Sequence, residues 1–160
     1  MRPTDDRTHD RTDDRDCAGS ILAVDDCPAT LEILRASLEH IGYRVHAVDS
    51  GWAALDAISE APFDAIVLDV EMPGMDGMAV GRTLRSTPHT ASAPIAMHSS
   101  LAEAEVRAHF DAYDIYLPKG GDLRALGARI DHLVRSRRVA GPVGPAVPKP
   151  AGAERQPASD

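Results

Sequence analysis

Five side chains at four places in the chain could act together on an anion: the adjacent carboxylates Asp25 and Asp26, the carboxylate Asp69, the hydroxyl of Ser99 and the ammonium of Lys119. Each place closes a short apolar run. Ile21-Leu22-Ala23-Val24 leads into Asp25, Ile66-Val67-Leu68 into Asp69, Ile95-Ala96-Met97-His98 into Ser99, and Ile115-Tyr116-Leu117-Pro118 into Lys119. Carboxylates brought close repel one another and want a cation. Hard oxygen ligands suit Mg²⁺, with waters completing its octahedron. Binding phosphate through such an ion while an aspartate attacks it is covalent catalysis. Lys119 would neutralise a phosphoryl oxygen as a point charge, and Ser99 would donate a hydrogen bond to another. Asp69 is already a nucleophile, so the work of such a site is charge neutralisation and in-line positioning.

The apolar runs are the elements that would place these groups. Short, continuous and bounded by turn residues, they read as buried parallel strands. Strands are predicted at 20–24, 43–48, 63–69, 94–98 and 114–117. Between them helical spacing predicts helices at 28–41, 51–60, 78–84, 101–110 and 123–138, the first opened by Pro28 and closed by Gly42. Leu123, Leu126, Ile130, Leu133 and Val134 form the apolar stripe of the last helix. Strict alternation of strand and helix predicts a doubly wound α/β fold around a five-stranded parallel sheet. Right-handed crossovers put every strand's carboxyl end on one edge, the edge where open α/β sheets bind ligands.

The composition fits this reading. The chain has 160 residues, 43% of them hydrophobic, and a formal net charge of −8. That is enough for one domain with a sizeable core, and the charge argues against non-specific nucleic-acid binding. No stretch approaches a transmembrane span, and the N-terminus is polar, unlike a signal peptide; a cytoplasmic protein is expected. The two cysteines, Cys17 and Cys27, suggest neither a disulfide framework nor metal-site spacing. Residues 1–18 are rich in Asp and Arg, and residues 140–160 in Pro, Ala and Gly. Neither segment has the side chains of a core, so both read as disordered tails without an effector domain, around a folded domain at 19–139.

The segments Ile21-Leu22-Ala23-Val24-Asp25-Asp26, Asp69-Val70-Glu71-Met72-Pro73-Gly74-Met75-Asp76-Gly77, Pro94-Ile95-Ala96-Met97-His98-Ser99 and Tyr116-Leu117-Pro118-Lys119 together resemble the receiver domain of bacterial two-component response regulators. They follow that family's order and spacing. The resemblance implies a flavodoxin-like (βα)5 receiver fold and a stand-alone, cytoplasmic signalling phosphoprotein. Asp69 would accept phosphate from a histidine kinase or a histidine phosphotransfer protein. Asp26, with Asp25 beside it, Asp69 and the backbone carbonyl of Glu71 would hold Mg²⁺. Ser99 and Tyr116 would be the switch residues and Lys119 the lysine of the site. Output would run through a protein target on the fourth helix, fifth strand and fifth helix, without direct DNA binding or membrane insertion. Catalysis would be confined to the chain's own aspartyl phosphorylation and dephosphorylation.

Three departures from the family pattern stand out. Gly120-Gly121 follows Lys119 where a cis-proline is usual, which predicts a looser turn and a less well preorganised lysine. Ser100 replaces a smaller residue. Glu71 adds a carboxylate that either orients a hydrolytic water or faces solvent. These keep open a second reading, a receiver-like binding module that works without phosphate. A phosphatase of the haloacid-dehalogenase type would need an Asp-x-Asp motif after the first strand and a cap, whereas this chain has Asp25-Asp26; a P-loop is absent. His98 reads as a strand histidine paired within the fold, and Cys27 lacks soft-ligand companions. Arg135, Arg137 and Arg138 fit either a partner surface or favourable charge at a helix C-terminus.

Overall fold

The computed structural model of the chain describes residues 17–140. The predicted tails therefore lie outside the described residues, apart from Cys17, Ala18 and Ala140. The elements alternate without exception: β1 (Gly19–Val24), α1 (Pro28–His40), β2 (Tyr43–Val48), α2 (Gly51–Glu60), β3 (Ala65–Asp69), α3 (Gly77–Ser86), β4 (Ile95–Ser99), α4 (Glu103–His109), β5 (Ile115–Pro118) and α5 (Leu123–Ala140). All five strands are parallel in one sheet of order β2-β1-β3-β4-β5. The chain leaves β1 in one direction to form β2 and returns past it to form β3. The switch point of the sheet thus lies between β1 and β3, the strands that lead into Asp25 and Asp69.

Side chains alternate across the sheet with a period of two, and this sorts the core into two layers. Ile21, Ala23, Ala65, Val67, Ala96, Ile115 and Leu117 face α1 and α5, meeting Leu34, Leu38, Leu126, Ile130 and Val134. Leu22, Val24, Ile66, Leu68, Ile95 and Met97 face α2, α3 and α4, meeting Ala54, Ile58, Val80, Leu84 and Val106. Of the stripe predicted on α5, Leu126, Ile130 and Val134 are buried, while Leu123 and Leu133 pack at its margin. The same alternation reaches the site. By register Asp69 and His98 belong to the α1/α5 face, whereas Ser99 and Tyr116 belong to the face of α4.

The helix starts carry their chemistry in the sequence. The side chains of Ser50 and Asp76 accept the backbone N–H groups of Ala53 at 3.3 Å and Ala79 at 2.7 Å, capping α2 and α3. In α4 the Glu105 carboxylate returns to the Ala102 N–H at 3.2 Å. α5 is held on the opposite edge by charge, Arg137 pairing with Asp114 and Arg138 with Asp64, while Arg135 pairs with Asp131 one turn back in α5 itself. These arginines are thereby engaged within the fold itself. Among the described residues no helix is long and apolar enough to cross a membrane.

Tyr43, almost fully buried at the start of β2, donates its hydroxyl to Asp131 of α5 at 2.9 Å. Burial and the Asp131 carboxylate push its phenol up to about 12. A phenol whose value is raised on folding contributes stability below the unfolded value near 10, lost as pH rises through the folded value. Tyr43→Phe is expected to cost about 1 kcal/mol in urea unfolding at neutral pH. It is also expected to remove the latest step from the ultraviolet phenolate titration.

Candidate functional site

Asp25 follows β1 directly and Asp69 is the last residue of β3. Both side chains are fully buried, and Asp26 beside them is exposed. Oxygens of the three carboxylates lie within 4.8 Å of one another. Burying a carboxylate without a partner costs several kcal/mol, and partners are supplied from three directions. The Lys119 ammonium, just beyond β5, reaches Asp69 Oδ2 at 3.0 Å and Asp25 Oδ2 at 3.3 Å. The Glu71 N–H donates to Asp69 Oδ1 at 3.1 Å, and the Cys27 N–H to Asp25 Oδ1 at 2.9 Å. His98, on the neighbouring strand, places Nδ1 at 3.8 Å from Asp25 Oδ2.

These surroundings separate the two buried acids. Burial pushes both up. At Asp25 the effects of His98, the Cys27 amide and Lys119 prevail and hold the carboxyl below its usual range. At Asp69 burial prevails over Lys119 and the Glu71 amide, and the nearby Asp25 charge adds to the rise. Burial lowers Lys119, but Asp69 and Asp25 more than offset it, so the ammonium is held charged. Three carboxylates face one ammonium, an excess of negative charge. Asp25 Oδ2 is buried and lacks a hydrogen-bond partner among the described residues. A set of clustered hard oxygens, one of them buried with only a 3.3 Å ion pair to Lys119, fits a hard divalent cation.

Lys119 keeps its place despite the two glycines. Its own N–H donates to the Ser99 carbonyl at 2.8 Å, and the Gly121 N–H closes a turn onto Pro118 at 2.9 Å. Gly120 adopts a φ of 88°, a left-handed conformation that glycine takes without penalty. With the Gly-Gly turn in place, the ammonium stands within ion-pair distance of both buried carboxylates.

Ser99 ends β4, fully buried, and its Oγ accepts the Leu101 N–H at 3.0 Å. Tyr116, on the same face of the neighbouring strand, donates its hydroxyl to the Leu101 carbonyl. The two predicted switch residues thus hold the two polar groups of one residue, just before α4. This use of Leu101 shortens the helix predicted at 101–110 to Glu103–His109.

Sequence reasoning did not reach two features. The Glu71 side chain neither faces only solvent nor stands free: its Oε2 accepts the Ser100 N–H at 3.1 Å. Gly77 is the second. A Cβ there would lie 2.0 Å from the Asp69 carbonyl oxygen, so only glycine lets the start of α3 abut the end of β3. The Asp76-Gly77 pair signals a helix start; the close approach is tertiary and carries no local signal. Cys27 is exposed at the start of α1.

A doubly wound parallel sheet with an acidic cluster at its switch point and a lysine after the fifth strand defines a class of domain. The profile described as the response regulator receiver domain matches residues 21–131. The chain belongs to the response regulator receiver family. It is 44% identical over 117 residues to the response regulator MprA of Mycobacterium leprae, covering 72% of this chain and 50% of that protein. It is 43% identical over 107 residues to the sensor histidine kinase GacS of Pseudomonas protegens, covering 64% of this chain and 12% of that protein. The chain thus spans half or less of the length of these relatives. Among solved structures, a chemotaxis response regulator, CheY4 of Vibrio cholerae, is similar at 27% identity and TM-score 0.67, covering 71% of this chain and 97% of that one. The response regulator TrrA of Thermotoga maritima, solved in complex with Mg²⁺-BeF, is similar at 28% identity and TM-score 0.65, covering 71% and 97%.

Proposed function

We propose that the chain accepts a phosphoryl group on Asp69 from the phosphohistidine of a histidine kinase or histidine phosphotransfer protein, and signals through contact with another protein. The observation that carries this reading is the buried Asp69 carboxylate, ion-paired to Lys119 at 3.0 Å on the ligand-binding edge of the sheet. An Asp69 oxygen forms the new P–O bond as the P–N bond of the donor breaks, and the bonding pair returns to the donor imidazole. Lys119 opposes the upward push of burial on Asp69 and offers its charge to the phosphoryl oxygens as they arrive. The Ser99 hydroxyl, one strand away, accepts from Leu101 through a lone pair and keeps its O–H to donate to the phosphoryl group.

Asp25, Asp26, Asp69 and the Glu71 carbonyl would hold Mg²⁺, which supplies neutralisation of the phosphoryl charge when bound. The TrrA structure with Mg²⁺-BeF supports that choice of ion. Output in this reading uses the surface of α4, β5 and α5, because Ser99 and Tyr116 share the Leu101 backbone at the entry to α4. The internal pairing of Arg135, Arg137 and Arg138 favours a protein partner over DNA. The setting of this exchange is the cytoplasm.

The test is intact-protein mass spectrometry after incubation with phosphoramidate or a phosphorylated phosphotransfer protein. The expected result is one phosphoryl adduct per chain that requires Mg²⁺ and is missing in Asp69→Asn. An adduct that persists in Asp69→Asn, or no adduct from either donor, would overturn the assignment.

A further inference from the structure

His98 is buried beside the acidic cluster, yet phosphoryl transfer to Asp69 gives it no task. It stands on β4 opposite Asp69 of β3 in the parallel register. Its Nδ1 is buried and makes no hydrogen bond among the described residues; Asp25 Oδ2, 3.8 Å away, is in the same condition. That separation is too long for a hydrogen bond. Two buried polar atoms facing each other unpaired call for an explanation, and Lys119 supplies it. Its ammonium covers the same Asp25 oxygen at 3.3 Å while it holds Asp69 Oδ2 at 3.0 Å. Asp25 Oδ1 is already taken by the Cys27 N–H at 2.9 Å. Oδ2 is therefore faced by two groups, one in contact and one held back. They differ in freedom: the Lys119 side chain is 28% exposed on a flexible stem, and that of His98 only 6%. Lys119 is the one able to travel.

We infer that His98 is a reserve donor for Asp25: when Lys119 turns to a phosphoryl group on Asp69, the imidazole Nδ1 closes on Asp25 Oδ2 and keeps that buried carboxylate partnered. The inference rests on the phosphoacceptor reading of Asp69. Phosphorylation makes Asp69 an acyl phosphate, whose negative charge lies on the phosphoryl oxygens, and the ammonium follows that charge. Asp25 is fully buried and has no water to replace the lost contact. An imidazole nitrogen that carries its proton is a donor, and its bond to a carboxylate is charge-assisted. The closure takes the pair from 3.8 Å to about 2.8 Å, a small shift of side chains already face to face. A carboxylate oxygen has more than one lone pair, so the bond to His98 leaves Asp25 able to hold a cation. His98 is here a positioning residue: it touches neither the cation nor the transferred phosphorus.

The experiment uses the full chain at saturating Mg²⁺ with beryllofluoride as the phosphoryl mimic. Affinities are read by titration, and the imidazole by its Nδ1–H resonance in ¹⁵N–¹H spectra. His98→Leu, which removes the donor and keeps an apolar side chain, is expected to weaken beryllofluoride binding about tenfold, the worth of one charge-assisted hydrogen bond. Its Mg²⁺ affinity without beryllofluoride should match wild type, because Lys119 still covers Asp25. His98→Asn, whose Nδ2 can stand in for the imidazole Nδ1, should bind beryllofluoride nearly as wild type does. In wild type the Nδ1–H resonance should move downfield at saturation, and in anion-free Lys119→Met it should stand there already. Equal beryllofluoride affinity for wild type and His98→Leu overturns the inference. So does an equal loss of Mg²⁺ and beryllofluoride binding, or a loss in His98→Asn as large as in His98→Leu, since either marks a packing role. A wild-type Nδ1–H resonance that stays put at saturation overturns it without any variant. A wild-type chain that takes up no beryllofluoride at all overturns the phosphoacceptor reading, and the role of His98 with it.

Discussion

Replacing Lys119 by Met is expected to slow phosphorylation of Asp69 by about 10²–10³-fold, the usual worth of one preorganised charge at a reacting centre. It is also expected to tighten Mg²⁺ binding by about three- to tenfold, because a cation that competes for the same carboxylates has been removed. The opposite signs separate a charge role from mere loss of structure, which would weaken both. Rates come from the mass-spectrometric time course and metal affinity from calorimetry. A variant that phosphorylates at the wild-type rate would remove Lys119 from the chemistry. The stability of this variant should depend on pH in a defined direction. Asp69 is already raised by burial, and loss of the ammonium raises it further. An acid whose folded value exceeds its unfolded one binds more protons when folded, so stability falls as pH rises through that window. Without metal, urea unfolding of Lys119→Met should therefore weaken, as pH rises above the ordinary carboxylate range, more steeply than that of the wild type. Mg²⁺ should restore much of the loss.

The second large effect is expected from close packing rather than from charge. Gly77→Ala would set a methyl group 2.0 Å from the Asp69 carbonyl oxygen and 3.1 Å from the Val70 Cα, and both are backbone atoms. Nothing flexible is available to move aside. The whole start of α3 must shift, at a cost of about 3 kcal/mol and a fall in Tm of about 10 °C. Asp69 belongs to the peptide that is pushed, so phosphorylation should drop with it. Gly74→Ala is the comparison. Gly74 sits at a φ of 80° with nothing within 4 Å of a new Cβ, so the change carries only the left-handed backbone penalty, about 1 kcal/mol. Thermal melts of the two variants separate close packing from local conformation.

Much of this molecule was legible in its sequence because strands that are buried on both faces are written as continuous apolar runs. Each of the four runs that matter ends at a polar side chain, and parallel topology carries all four endings to one edge. Asp25, Asp26, Asp69 and Lys119 could therefore be brought together without coordinates. Boundaries were less legible where one residue serves two masters. The helix predicted from Leu101 starts at Glu103, since the Leu101 backbone is committed to Ser99 and Tyr116. β4 runs one residue further than predicted, through Ser99. Contacts between loops left no trace in spacing at all. The Glu71 carboxylate meets Ser100 across 29 positions of sequence, and the stabilising role of Gly77 depends on how closely a helix is pressed to a strand.

Asp64 gives the domain a property of a different kind. Its two carboxylate oxygens bind the Ser20 N–H at the head of β1 and the Arg138 guanidinium at the tail of α5, at 2.8 Å and 2.9 Å. The places where the backbone enters and leaves the domain are thus stapled side by side, at the edge of the sheet opposite Asp69. Neighbouring termini are the condition for circular permutation, so the ends of residues 19–139 could be joined by a short linker and the chain reopened in a surface loop. A fluorescent protein attached at either end would sit a full strand length, about 17–20 Å, from the edge that carries Asp69. It would leave the approach of a phosphodonor clear.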